Sequence, residues 1–247
     1  KANSFQKGKL YLFCDEFTNY YDVSVGIDAY ELLSQLGYEV LTVDHEESGR
    51  AYLSKGFLEE AKAIANKNVS IFAPIVSHEI PLVGLEPSAI LTFRDEYIRL
   101  ADDKENAEKL AKNVVTIEEF FKNEITSGKI TSDQFSDKVK TIKIHGHCHQ
   151  KSLSSIEATF AMLNLPKNNS VTIYNSGCCG MAGSFGYEKE HYEISMQMGE
   201  DTLFPKIRAT DAVVAIAAAG TSCRHQIFDG TNRKALHPVT ILKDCLK

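Results

Sequence analysis

Short apolar stretches alternate with amphipathic ones along this chain, and the alternation is gone through twice, on either side of a polar gap. Lys9 to Phe13 reads as a strand. Val25 to Leu36 carries apolar residues at helical spacing (Val25, Ala29, Leu32, Leu33, Leu36), with Gly37 where a helix would stop. Tyr38 to Val43 alternates as a second strand, Leu58 to Asn68 is a second amphipathic helix, Val69 to Ile75 (VSIFAPI) reads as a buried strand, and Arg94 to Leu100 is a further helical piece. Thr126 to Asp137 has no periodicity and reads as a linker. Beyond it come a strand at Thr141 to Ile144, a helix at Ser154 to Leu163, a strand at Val171 to Tyr174, a long helix around Glu190 to Phe204 and an apolar strand at Ala212 to Ala219. Strands separated by helices of this length demand right-handed crossovers, hence parallel sheets covered on both faces.

The expected fold is α/β, with two tandem pseudo-repeated lobes, each a small parallel sheet flanked by helices, over 1–128 and 129–247. The length of 247 residues suits one large domain or two small ones at about 150 residues per domain. Overlaying the halves pairs Cys14 with Cys148, Glu47-Ser48-Gly49 with Cys178-Cys179-Gly180, and Pro87-Ser88-Ala89 with Thr221-Ser222-Cys223, which reads as an internal duplication whose first copy has lost most of its cysteines. The longest apolar run, Ala212 to Ala219, is too short for a bilayer, which needs about 20 residues. With 27 basic against 33 acidic residues and no basic stripe, no nucleic-acid partner is expected. The chain opens on Lys1, so it reads as part of a longer polypeptide. Its 6 cysteines, two of them adjacent, suit a reduced intracellular metal or redox protein better than a disulfide scaffold.

Cys148, Cys178, Cys179 and Cys223 each follow an expected parallel strand, and the carboxyl ends of such strands converge on one crevice. Four thiols gathered there form a soft site, suited to iron–sulfur or zinc rather than calcium or magnesium. Gly177, Gly180 and Gly183 would let backbone approach an inorganic core and give amides to its sulfurs. Adjacent cysteines share one tetrahedral ion poorly, which favours a cluster over zinc. Two other readings stand beside this one: four buried small hydrophobes, and a vicinal disulfide or dithiol at Cys178 and Cys179. His145, His147 and His149 alternate around Cys148 and read as hydrogen-bonded sheet-end residues facing away from it. His225 is a weak ligand candidate, Cys245 a bystander, and Arg50, Arg94, Arg224 and Lys151 solvated helix-end charges.

NSGCCGMAGSFGYE (Asn175 to Glu188), HGHCHQK (His145 to Lys151) and GTSCRHQIFDGTNRKALHP (Gly220 to Pro238) resemble the cysteine-rich CCG domain. That domain occurs in heterodisulfide reductase and in iron–sulfur subunits of several dehydrogenases, and the likeness is greatest to the C-terminal part of FAD-linked D-lactate and D-2-hydroxyglutarate dehydrogenases. FCDEFTNYYDVSVG, LSKG and VGLEPSAILTFRDEY extend it through the first half. The resemblance implies an iron–sulfur cluster, of the 4Fe-4S type, held by Cys148, Cys178, Cys179 and Cys223. Three departures stand out: Gly220 where a closing cysteine is expected, ESGR at Glu47 to Arg50 in place of CCGR, and EPSA at Glu86 to Ala89 in place of EPSC.

The chain has neither a G-x-G-x-x-G after a strand nor a C-x₂-C-x₂-C run. Removing a hydride from a 2-hydroxy acid needs a flavin or nicotinamide. The expectation is therefore an oxidoreductase module, incomplete alone, that carries electrons for an FAD-dependent 2-hydroxy-acid dehydrogenase. Its partners would be the flavin-containing part and a ferredoxin-type cluster domain, in the cytoplasm and at most peripheral to the inner face of a membrane. The rival readings are a structural zinc or metal-free docking module and a thiol–disulfide site.

Overall fold

In the computed structural model, which describes residues 7–247 and so leaves Lys1 outside, eight parallel strands form two separate sheets of four. The first holds β1 (Gly8–Phe13), β2 (Tyr38–Leu41), β3 (Leu82–Gly84) and β4 (Val114–Thr116), in the order β2-β1-β3-β4. The second holds β5 (Lys140–His145), β6 (Asn169–Ile173), β7 (Ala215–Ala218) and β8 (Ala235–Leu236), in the order β6-β5-β7-β8. Residues through Ile130 make one compact unit and Thr131–Lys247 another. Both are α/β and share one topology, as the repeated order of segments predicts.

Leu10, Leu12 and Phe13 of β1 are buried, and so are Ile142 and Ile144 of β5, because helices cover both faces of each sheet. The helix Val23–Gln35 turns Val25, Ala29, Leu32 and Leu33 inward, as its spacing demands. VSIFAPI, however, is not a strand. Most of it is the last part of the helix Leu58–Phe72, and β3 lies further on, at Leu82–Gly84. Ala61, Ala65, Val69 and Phe72 are the apolar residues that helix buries, at steps of three and four that fit one helical face.

In each unit the first strand lies between the second and the third, so the chain leaves to one side, returns and crosses to the other. The loops after these strands part at their carboxyl ends and leave a crevice there. The strand pairings give a residue-by-residue match between the units. Phe13 pairs with Gly84 as His145 pairs with Ala218, and Tyr11 pairs with Leu41 as Lys143 pairs with Thr172. Counting on from these pairs sets Glu47, Ser48 and Gly49 opposite Cys178, Cys179 and Gly180, and Ala89 opposite Cys223. The first station shifts: Cys14 stands opposite Gly146, and Glu16 opposite Cys148.

Candidate metal centre

β5 ends at His145, two residues carry the chain out of the sheet, and Cys148 opens the short helix Cys148–Leu153. His147 caps that helix, its Nδ1 accepting from the His149 amide at 3.2 Å. β6 leads into the turn that holds Cys178 and Cys179, and β7 leads through Gly220 into the helix Thr221–Thr231, which carries Cys223. The three adjacent strands β6, β5 and β7 thus bring all four cysteines to one sheet edge.

The turn at Cys178-Cys179-Gly180 has a narrow conformational tolerance. Gly180 sits at φ +96°, and a Cβ there would stand 2.0 Å from the Ser195 carbonyl oxygen. Ser195 Oγ donates to the Gly180 carbonyl at 2.9 Å and accepts from Gln226 Nε2 at 2.8 Å, which ties the turn to the helix that carries Cys223. The Gly180 amide reaches Cys178 Sγ at 3.3 Å. The Gly177 amide is instead taken by Thr202 Oγ1 at 2.9 Å, so it gives nothing to a sulfur, and Gly183 contributes a left-handed turn at φ +69°.

The sulfurs form a graded array. Cys148 is exposed, Cys178 half-buried, and Cys179 and Cys223 buried among Tyr174, Met181, Phe204, Ile216 and Ile227. Cys179 Sγ donates to Cys223 Sγ at 3.6 Å. The thiols of Cys148 and Cys179, aided by the Gly180 amide, hold the Cys178 thiol far below its ordinary value. Cys148 moves far up because it donates to Cys178, and Cys179 because it donates to Cys178 and Cys223. Cys223 is held well down by the Cys179 thiol, with the imidazoles of His147 and His145 also favouring its thiolate. The four thiols therefore share protons along the array, with the thiolate form favoured at Cys178 and Cys223, against an apolar wall. All six cysteines are free.

A ring nitrogen of His145 lies within 4.8 Å of the sulfurs of Cys179 and Cys223, and those two sulfurs lie within the same distance of each other. His145 thus faces the thiols rather than turning away. The expected alternation fails because β5 ends at His145 and Cys148 already belongs to a helix. Its Nε2 is buried with no nitrogen or oxygen partner, and the ring stands against the Cys223 sulfur. Four sulfurs and a buried imidazole nitrogen are soft and borderline donors, and they fit a transition-metal or iron–sulfur centre.

Other candidates lie elsewhere. His225 Nδ1 meets the Tyr187 hydroxyl at 2.7 Å, and Cys245 Sγ points at the Ile241 carbonyl at 3.4 Å. The arginines are structural clamps, not solvated helix-end charges. Arg50 is nearly buried and reaches Glu96 at 2.7 Å, Arg94 grips both oxygens of Glu119, and Arg224 binds the carbonyls of Ala218 and Ala219. Lys151 Nζ donates to the Ser176 carbonyl at 3.2 Å. A Cβ on Gly220 would stand 2.3 Å from His147 Cδ2, so the His147 ring occupies the space that a side chain at 220 would need. In the first unit the corresponding positions hold no sulfur: Glu16 accepts from the Ser48 amide at 2.8 Å and from its hydroxyl at 2.6 Å, and Ala89 is a buried methyl.

No family model matches this chain. It is similar to D-2-hydroxyglutarate dehydrogenase of Haemophilus influenzae, with 28% identity over 252 residues that cover 96% of this chain and 23% of that protein. The enzyme of the same name from Escherichia coli K12 is 28% identical over 247 residues, covering 99% of this chain and 23% of the relative. One of the subunits of the anaerobic glycerol-3-phosphate dehydrogenase of Escherichia coli K12 is 26% identical over 244 residues, covering 97% of this chain and 60% of that polypeptide. All three are dehydrogenases or a part of one. This chain matches them over nearly all its length, yet it spans less than a quarter of the two D-2-hydroxyglutarate dehydrogenases. No helix among the described residues is long and apolar enough to cross a membrane.

Proposed function

We propose that this chain is the electron-transfer part of a dehydrogenase for a 2-hydroxy acid such as D-2-hydroxyglutarate, D-lactate or glycolate. Cys148, Cys178, Cys179 and Cys223 would hold an iron–sulfur cluster, of 4Fe-4S type, in a CCG-type module over 129–247, with a degenerate copy over 1–128. One observation carries the reading. Four thiols from three separate strand ends meet in a proton-sharing array, in a chain whose relatives are dehydrogenases. Such a centre passes single electrons, so the hydride itself would go to a flavin in a partner domain or polypeptide, with a ferredoxin-type cluster between.

The chain's own residues do three things for that role. Cys178 and Cys223 offer thiolates without prior proton loss, while Cys148 and Cys179 would each release a proton on ligation. Phe204, Ile216 and Ile227 keep water from the inner sulfurs, and exposed Cys148 sits at the mouth, where a partner's electron would arrive. Cys178 and Cys179 are adjacent in the chain, and adjacent thiolates suit separate irons of a cluster better than one tetrahedral zinc.

Anaerobically purified protein tests this by its visible spectrum and by iron and acid-labile sulfide per chain. Several irons with matching sulfide, and broad absorption near roughly 400 nm as iron–sulfur centres show, are the expected result. About one zinc in a colourless protein would establish a structural site instead. A metal-free protein with two titratable thiols would point to dithiol chemistry at Cys178 and Cys179.

A further inference from the structure

We infer that His145 is a ligand of this centre, giving it mixed imidazole and thiolate ligation. The inference rests on the reading that Cys148, Cys178, Cys179 and Cys223 hold an iron–sulfur cluster, and it adds a nitrogen donor that the cysteine spacing does not supply.

Three observations carry it. The first is placement. His145 is the last residue of β5, the central strand at the crevice, and a ring nitrogen lies within 4.8 Å of the two most buried sulfurs. The second is what the buried ring faces. His145 is 1% exposed, its Nδ1 lies 3.2 Å from Ser176 Oγ, and its buried Nε2 has no nitrogen or oxygen partner, while the ring stands against the Cys223 sulfur. A metal bond would take up that buried lone pair. A histidine ligand is ordinarily fixed through its other ring nitrogen, and the Ser176 hydroxyl is placed to accept from Nδ1–H, which leaves the Nε2 lone pair for ligation. The third is the internal comparison. In the first unit, where the cysteine positions hold Glu16, Glu47, Ser48 and Ala89, the residue at the His145 position is Phe13, its ring stacked 4.5 Å from that of His45. An apolar ring stands where the sulfurs are gone, and an imidazole stands where they are present.

His147 is held by a separate structural role. His147 uses Nδ1 on the His149 amide, its ring packs over Gly220, and its side chain caps the helix that starts at Cys148. As a donor beside four thiolates the imidazole adds no negative charge where a cysteine at the same position would, and in mixed histidine–cysteine clusters histidine ligation goes with a higher reduction potential.

The test uses the full chain, purified anaerobically with its cluster and poised in a paramagnetic state, with ¹⁵N-labelled histidine. Pulsed electron paramagnetic resonance should show one directly coordinated histidine nitrogen. His145→Cys should retain its iron and sulfide, lose the nitrogen coupling and shift to a lower midpoint potential. His147→Gln should keep the coupling. A cluster present in the wild-type chain without directly coupled histidine nitrogen overturns this inference and leaves the proposed electron-transfer role standing. Coupling that survives in a cluster-bearing His145→Cys protein also overturns it, by assigning the nitrogen to another histidine. A wild-type chain without iron or sulfide removes both.

Discussion

What a cysteine does here depends on where its sulfur points. Cys14 Sγ faces the Leu12 carbonyl at 3.8 Å in the first unit, and Cys245 Sγ faces the Ile241 carbonyl at 3.4 Å. Neither sulfur belongs to the array at the β5 edge, whereas Cys179 and Cys223 are its buried end. Cys179→Ser and Cys223→Ser are therefore expected to abolish the visible chromophore and lower iron per chain at least tenfold. Cys14→Ser and Cys245→Ser should leave both unchanged. Iron and sulfide analysis of the four proteins checks this, and bleaching by Cys14→Ser would move the site to the first unit. The cysteines were legible in the sequence because thiols at strand ends need no side-chain orientation to be noticed. His145 was not. Cys148 lies beyond the end of β5, where the period of two stops holding, and only the backbone path shows that His145 turns toward the sulfurs of Cys179 and Cys223.

At the level of the single turn or helix, glycine geometry and buried carboxyls set the expectations. Gly180→Ala meets both a left-handed φ and a Cβ placed 2.0 Å from the Ser195 carbonyl oxygen. The left-handed conformation alone costs about 1–2 kcal/mol, and relieving the clash must displace the Ser195–Gln226 tie. A loss of at least about 5 °C in melting temperature, at about 2–4 °C per kcal/mol, should accompany loss of iron. Gly177→Ala, whose Cβ would stand 3.3 Å from Thr202 Oγ1, is expected to fold and bind iron normally, and thermal scans of the two variants separate the cases. Local signals of this kind were partly readable. The helix Val23–Gln35 and the strand Gly8–Phe13 followed from periodicity and punctuation. β3, β4 and β8 are only two or three residues long, too short to show any period, and the buried helix end at Val69 looks like a strand until its inward face is seen.

Taken whole, the chain uses one topology twice and puts different chemistry on the same sheet edge: sulfur in the second unit, buried carboxyls in the first. Asp15 after β1 and Glu118 after β4 are both fully buried. Burial pushes Asp15 up to about 8 and Glu118 up to about 7, and the nearby Glu86 carboxylate adds to each shift. The duplication was legible because matched element orders survive substitution. The carboxyls were not, since Asp and Glu at helix starts are ordinarily solvated. Their consequence has a definite sign. Above about pH 4.5 the unfolded chain gives up protons that the folded first unit keeps, so raising the pH toward 7 or 8 costs the folded form about 1.4 kcal/mol per pH unit for each such carboxyl. As far as these two carboxyls set it, the stability of β1–β4 should thus be full at about pH 4 and fall steadily to about pH 8. Glu118→Gln should remove its share of that slope between about pH 5 and 7 and leave the Asp15 share. Metal removal should act on the other copy of the fold, because ligation of Cys178, Cys179 and Cys223 would add to the Cys179–Cys223 contact and the Ser195–Gln226 tie between the β6 and β7 loops. Amide hydrogen exchange on the whole chain reads both effects at once. Stripping the centre is expected to speed exchange in Asn175 to Tyr187 and in the helix Thr221–Thr231, and Glu118→Gln is expected to flatten the pH trend in β1–β4. A centre whose removal left Asn175 to Tyr187 as protected as before would not be held by these cysteines, and a first unit with a flat pH profile would mean that Asp15 and Glu118 titrate as they do in water.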